Sequence, residues 1–144
     1  MGEHRIGYLI KGLQQAIRHR IDDELRHLNL SISQYAALSA LERSDQLSNA
    51  ELARACFVTP QTMQQLVRGL ERENWIERRP HPVHGRIIQT RLAKSGRMLL
   101  DQAHRLVEAI EIMMVEGLSG QSQERLAADL QRCKENLSQH RPIP

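Results

Sequence analysis

Aromatic residues are scarce in this chain, where Phe57, Trp75 and two tyrosines make up 3% of 144 residues. An interior with so few rings must be filled by aliphatic side chains, which favours packed helices.

Cysteine is also rare. Cys56 and Cys133 lie too far apart in sequence for a thiol redox motif or a thiolate metal site, so we expect both thiols to be buried.

Long apolar runs are missing as well. No run approaches the roughly 18 residues of a membrane-spanning helix, and the start, Met-Gly-Glu-His-Arg, does not resemble a signal peptide. With 40% apolar and 26% charged residues, the composition is that of a folded domain. We therefore expect a cytoplasmic protein without a membrane partner.

The net charge of +3 is unevenly distributed along the chain. Between Arg54 and Arg97, nine basic residues are set against three acidic ones, which gives +6, whereas the remainder sums to −3. The middle of the chain is therefore the part expected to face an anionic partner.

A long amphipathic helix is predicted at the beginning of the chain. Its apolar residues recur every three or four positions: Ile6, Ile10, Leu13, Ile17, Ile21, Leu25 and Leu28. A helix of this length at the end of a small domain needs a partner surface to cover its stripe.

Two capping boxes predict the starts of the next two helices. Ser31 is followed three residues later by Gln34, and Ser48 by Glu51, so each serine can accept from a first-turn amide while its partner reaches back. Tyr35 can pack across the first of these caps.

Thr59 and Pro60 predict the start of a fourth helix, with Thr59 as its cap and Pro60 as its first residue. This helix is expected to bury Met63, Leu66, Val67 and Leu70. Its other face is expected to be exposed and carries Gln61, Thr62, Gln64, Gln65 and Arg68. Asn74 can take the left-handed conformation that ends a helix.

A β hairpin is predicted next, with strands at 75–79 and 86–92 and a loop of Pro, His and Gly at 80–85. After Gly96, a second long helix is expected to run to about Leu118. The glycines at 117 and 120 break it, and a last amphipathic helix follows.

This order of elements predicts a mainly α fold with a small β hairpin: a winged helix-turn-helix between N- and C-terminal dimerisation helices. Gln, Arg and Thr are the side chains that pair with base edges in the major groove of duplex DNA. The helix start at Thr59 offers amides to a phosphate, and Arg86 near the loop tip can enter a narrow minor groove.

The chain resembles the MarR family of bacterial regulators over nearly its whole length. The resemblance is carried by residues 30–41 (LSISQYAALSAL), 47–53 (LSNAELA), 59–79 (TPQTMQQLVRGLERENWIERR) and 81–96 (HPVHGRIIQTRLAKSG). It implies that residues 60–68 form the recognition helix, that Arg86 is the wing arginine and that the terminal helices dimerise.

Three positions depart from the family pattern. His84 stands where an acidic residue usually precedes Gly-Arg, which removes the charge pairing that steadies the wing. Ala93 replaces the threonine expected to cap the fifth helix, and Asn74 replaces a common glycine, which is a mild change.

The sequence and the resemblance together predict a homodimeric regulator that binds an inverted-repeat operator in double-stranded DNA. The resemblance implies that it is a repressor released by a small, often aromatic effector. We expect an N-terminal dimerisation helix at 1–30, a DNA-binding lobe at 31–96 and C-terminal dimerisation helices at 97–144. The predicted DNA-binding residues are Ser48, Thr59, Pro60, Gln61, Thr62, Gln64, Gln65, Arg68, Arg78, His84 and Arg86. The predicted dimerisation residues are Ile6, Ile10, Leu13, Ile17, Leu126, Leu130, Cys133 and Leu137, and Tyr35 is a candidate wall of the effector pocket.

Other classes of protein remain open from the sequence. No catalytic arrangement, cofactor motif or metal site is expected, although His81 and His84 have a ligand-like spacing in the wing loop. Oxidation of Cys56 could disturb the fourth helix, which would make the protein a redox-responsive regulator. A winged-helix module that binds proteins instead of DNA is the remaining alternative.

Overall fold

The structure, a computed structural model, describes residues 5–139 and Pro142. That part of the chain contains six helices and a small antiparallel sheet, so the predicted mainly α fold is confirmed. The helices are α1 (Ile6–Arg26), α2 (Ile32–Arg43), α3 (Asn49–Ala55), α4 (Pro60–Arg72), α5 (Lys94–Met114) and α6 (Gly120–Ser138). The strands are β1 (Leu47–Ser48), β2 (Ile76–Pro80) and β3 (Ile88–Leu92).

The predicted capping boxes start α2 and α3. Ser31 Oγ accepts from the Gln34 N–H at 3.1 Å, while the Gln34 side-chain oxygen accepts from the Ser31 N–H at 2.9 Å. Ser48 and Glu51 make the same reciprocal pair at the start of α3. Each box satisfies amides that have no partner inside the helix, which fixes where the helix begins.

The start and burial of α4 also follow the prediction. Thr59 Oγ1 accepts from the Thr62 N–H at 3.1 Å, and Pro60 is the first helical residue. The inward face buries Met63, Val67 and Leu70, with Leu66 half-buried. Just past the helix end, Asn74 has φ 60°, the left-handed conformation expected of it.

The sheet has one strand more than the predicted hairpin, in the order β1-β3-β2. Leu47 pairs with Thr90 and Ser48 pairs with Gln89, so the segment before α3 is bound to the wing. The expected loop began at Pro80, but the structure places Pro80 in β2, opposite Ile88. This proline is tolerated because β2 is an edge strand and its end needs no further ladder donor.

The core of this fold is aliphatic, as the scarcity of aromatic rings predicted. Fully buried leucines come from α1 to α5: Leu25, Leu38, Leu41, Leu52, Leu70 and Leu100. Tyr35 and Trp75 pack only at its margin, and Thr90 of β3 is buried among these side chains. Burial of this apolar surface is the main force that holds α4 and the wing in place.

The chain divides into two compact units, Met1–Ile110 and Glu111–Pro144. The first contains α1 to α4, the sheet and most of α5, and the second contains the end of α5 and α6. The end of α5 lies at Met114, earlier than the predicted Leu118, and Gly117 follows with φ 86°. Among the described residues, no helix is both long and apolar enough to cross a membrane.

The prediction that both thiols are buried is wrong for Cys133, which is exposed on α6. The reason is that no residue of α6, all of which is described, is buried within the single chain. Cys56 is half-buried at the end of α3 and packs against the core.

Candidate nucleic-acid interface

The outward face of α4 carries the polar side chains that the sequence placed there. All of them are exposed: Gln61, Thr62, Gln64, Gln65 and Arg68. Because Met63, Val67 and Leu70 hold the opposite face in the core, this polar face is fixed in orientation. A row of exposed amide and guanidinium groups on a helix of fixed orientation can donate to and accept from the edges of base pairs.

The start of α4 is tied to the start of α3. Asn49 Nδ2 donates to the Pro60 carbonyl at 3.0 Å, a link that sequence reasoning missed because it joins residues that only the fold brings together. The Thr59 hydroxyl accepts from the Thr62 N–H and donates to the Thr62 hydroxyl at 2.9 Å. Ser48 and Thr59 are therefore engaged as caps in the free protein, and their predicted DNA contacts remain predictions.

The wing loop, residues 81–87, is held by a histidine. The His81 N–H donates to the Ile87 carbonyl at 2.7 Å, and the Ile87 N–H donates to the His84 carbonyl at 2.8 Å. His81 Nδ1 accepts from the N–H groups of Val83 and His84, both at 3.0 Å. Arg86 is exposed in this loop, next to the turn that His81 fixes.

Ion pairs lie at the base of the wing. Both Nε and Nη2 of Arg91 donate to the same Glu77 carboxylate oxygen, at 3.0 and 2.8 Å. Hydrogen bonding from Arg91 lowers the pKa of Glu77, and the charges of Arg91 and Arg79 lower it to a smaller extent. Arg78, which follows Glu77 in the chain, is half-buried and lies 3.6 Å from the Glu71 carboxylate.

Comparison with known proteins identifies the family. The model of the MarR family matches residues 28–87. Over 127 residues the chain is 30% identical to an HTH-type transcriptional repressor of Mycobacterium tuberculosis, a match that covers 88% of this chain and 91% of that protein. The chain belongs to the MarR family.

Solved structures of MarR-family regulators share the fold. The reduced form of MarR from E. coli aligns with a TM-score of 0.81 at 22% identity, covering 90% of this chain and 96% of that one. The MepR–DNA complex of S. aureus aligns with a TM-score of 0.81 at 24% identity, covering 93% and 99%. The prediction of a winged helix-turn-helix fold is thus confirmed.

The structure shows how this MarR-family chain accommodates its departures from the family pattern. At the wing, His81 Nδ1 accepts two hydrogen bonds in a loop where His84 replaces the usual acid. At the start of α5, Ala93 has no side-chain acceptor, but its N–H donates to the Trp75 carbonyl and the Ser95 hydroxyl donates to the Asn74 carbonyl at 2.6 Å. The helix start is therefore tied to the preceding turn instead of being capped by residue 93.

Tyr35, the candidate wall of an effector pocket, is half-buried and takes part in a polar chain between α2 and α5. Its hydroxyl lies 2.8 Å from His104 Nδ1, and His104 Nε2 lies 2.7 Å from a Glu42 carboxylate oxygen. Because a carboxylate only accepts, Glu42 places the proton of a neutral imidazole on Nε2, and Nδ1 then accepts from the tyrosine. Sequence reasoning missed His104 and Glu42, since nothing local relates them to Tyr35.

The sequence analysis also did not predict the unusual conformation and exposure of Phe57, in the turn between α3 and α4. It has φ 56° and is 96% exposed, although it is bulky and apolar. The left-handed conformation costs a residue with a Cβ about 1–2 kcal/mol, so this turn is locally strained beside the start of α4.

The predicted dimerisation residues lie on exposed helix faces. On α1, Ile6, Ile10 and Leu13 are exposed and Ile17 is half-buried. On α6, Leu126, Leu130, Cys133 and Leu137 are all exposed. Each stripe leaves apolar surface in contact with water in the single chain, and the dimer itself stays a prediction.

Proposed function

We propose that this MarR-family regulator is a homodimer that binds an inverted-repeat operator in double-stranded DNA. The observation that carries the proposal is the exposed face of α4, with Gln61, Gln65 and Arg68, next to a wing that exposes Arg86. In this proposal α4 enters the major groove, where Gln reads adenine and Arg reads guanine, and Arg86 reaches the adjoining minor groove.

The start of α4 is proposed to meet a backbone phosphate. Pro60 has no N–H, and the N–H of Thr62 is taken by Thr59. We therefore expect the N–H of Gln61 to be the first-turn donor to the phosphate, with the positive end of the helix dipole behind it. This contact positions the helix without reading sequence.

The dimer follows from the apolar stripes of α1 and α6. Apolar side chains at 40 to 89% exposure, including Leu13, Leu126 and Leu137, are costly in water, and a second copy of the chain would cover them. A two-fold dimer presents two α4 helices to half-sites about one helical turn apart, which is why the operator is expected to be an inverted repeat.

Repression and release by an effector extend the proposal further. The Mycobacterium tuberculosis relative named above is a transcriptional repressor, which supports repression here. Tyr35 remains the candidate wall for a small aromatic effector. We place the action of the protein in the cytoplasm, where a bacterial operator is found.

Selection of bound duplexes from a random pool tests DNA binding and reads the half-site in one experiment. We expect an inverted repeat to emerge, and its affinity to fall steeply between low and high salt because phosphate contacts release counterions. A folded dimer that ignores every duplex at low salt would refute the proposal. Binding of a protein partner without such a salt dependence would favour the protein-interaction module.

The wing and α4 are proposed to have different roles, and one substitution in each tests them separately. Arg86→Ala should weaken binding across most sequences, because it removes an electrostatic contact, whereas Gln65→Ala should change the preferred base at one position of the half-site. Equal losses from both substitutions, independent of sequence, would contradict the assignment.

Control through Cys56 is disfavoured by the environment of the thiol. Burial raises the pKa of Cys56, more than the nearby Arg43 lowers it. Because the thiolate is the reactive form, a raised pKa slows oxidation at neutral pH. The redox alternative is therefore weaker than release by a small molecule.

A further inference from the structure

A basic groove lies between the last turns of α4 and strand β2. It has a volume of about 760 Å³ and is open to solvent. Its lining residues are Gln65, Arg68, Glu71, Arg72, Asn74 and Arg78. Three guanidinium groups and one carboxylate therefore line the groove, which gives its walls a net positive charge.

Glu71 does not form a hydrogen bond with Arg78, the half-buried arginine of this groove. The closest approach of Arg78 to Glu71 is 3.6 Å, which is longer than a hydrogen bond. Arg78 Nε is buried and has no hydrogen-bond partner in the described part of the chain. Arg78 itself lines the groove, so its guanidinium, which is short of acceptors, can donate there to an oxygen supplied from outside.

The chemistry and the position of the groove indicate its ligand. The planar fork of arginine matches two oxygens of a phosphate, and several arginines around one site favour a phosphate over a neutral ligand. Gln65, Arg68 and Arg72 are spaced three and four residues apart, so the groove continues the exposed face of α4 toward the wing. A duplex seated on α4 therefore brings its sugar-phosphate backbone to this place.

We propose that Arg72 and Arg78 together hold one phosphate of the DNA backbone at the C-terminal half of α4, next to Arg68, which keeps its role toward guanine. This inference rests on the proposed function and adds Arg72, which sequence reasoning did not include in the interface. Glu71 opposes the phosphate and competes for Arg78, so it lowers affinity for any duplex. Binding then depends more strongly on the base contacts made by the front of α4.

Arg72→Gln tests the phosphate contact. The probes are a duplex chosen by the random-pool selection and a scrambled duplex of the same length, each titrated from 50 to 200 mM salt. The slope of log affinity against log salt should become shallower by about 0.9 for each phosphate lost, that is about 1.8 for a dimer on two half-sites. The change should be equal for both duplexes.

Arg105→Gln is the matched control, because it removes the same charge from an exposed position on α5. Its slope should equal that of the wild type. A wild-type slope for Arg72→Gln, or an equal change in both variants, would overturn the inference while leaving DNA binding intact. Failure of the wild-type protein to bind any duplex would instead refute the proposed function itself.

Glu71→Gln tests the opposing charge. We expect severalfold tighter binding to both duplexes, and unchanged or weaker binding would refute this role of Glu71.

Inorganic pyrophosphate, titrated into the DNA-free protein at constant ionic strength, tests whether the phosphate can come from a small anion instead of DNA. Binding that Arg72→Gln abolishes, together with a wild-type salt slope on DNA, would show a site for small anions and overturn the inference.

Discussion

Gly96 is the residue of α5 that allows the helix to start against the preceding turn. A Cβ at this position would lie 2.0 Å from the Trp75 carbonyl oxygen, a distance that no real contact shows. That carbonyl is held by a hydrogen bond from the Ala93 N–H at 3.0 Å, so the backbone cannot move without losing it. The glycine is required by this close approach.

Gly96→Ala should therefore lower the free energy of unfolding by about 3 kcal/mol, as severe overpacking does. Urea unfolding followed by circular dichroism measures the loss. Gly120→Ala is the control, because a Cβ there meets no described atom within 4 Å, and its effect should stay within about 1 kcal/mol. Equal losses in the two variants would show that small shifts of the backbone remove the clash with Trp75 at little cost in the free energy of unfolding.

Phe57 gives the opposite kind of prediction. Phe57→Gly should make the protein more stable than Phe57→Ala by about 1 kcal/mol, because both remove the ring but only glycine relieves the left-handed strain at φ 56°. The same unfolding titration compares them. If the alanine variant is equally stable, the turn is not strained by its Cβ.

The wing is an element whose loop depends on one side chain. Because His81 Nδ1 accepts two backbone N–H groups, His81→Ala should leave the amides of Val83 and His84 without an acceptor. At about 1 kcal/mol for each hydrogen bond, their hydrogen exchange should speed up about fivefold. Amide exchange by NMR makes the measurement.

His81→Asn is the matched control for the wing, since the asparagine side-chain oxygen can take the place of Nδ1. Exchange at the two amides should return toward the wild-type rate in this variant. Faster exchange in both variants would mean that the ring itself, which lies 5.2 Å from the His84 ring, holds the loop by packing.

For the whole molecule, the central expectation is that two chains pair through the stripe on α1. Leu13→Glu should raise the dimer dissociation constant at least about tenfold, because a charge replaces an apolar side chain that pairing would bury. Gln14→Glu, which adds the same charge at an exposed neighbouring position, should have little effect. Sedimentation at several concentrations distinguishes these outcomes, and equal dimerisation by both variants would exclude this stripe.

The starts of α2, α3 and α4 could be predicted because each is fixed by residues within one turn. Ser31 with Gln34 and Ser48 with Glu51 need no other part of the chain to form their boxes. The outward face of α4 could be predicted for the same reason, since its apolar residues repeat with the helical period. The strand at Leu47 could not, because two residues carry no period and pair only when β3 is already in place.

By itself, the sequence determined the order of the helices, the caps of α2, α3 and α4, the polar row on α4 and the concentration of basic residues around it, because these depend on neighbours along the chain. Tertiary structure alone decided how distant segments come together: Gly96 against Trp75, His104 between Tyr35 and Glu42, and the groove that Arg72 and Arg78 both line. The physical reason is that packing and electrostatic contacts depend on distances in space, which no local pattern of residues records.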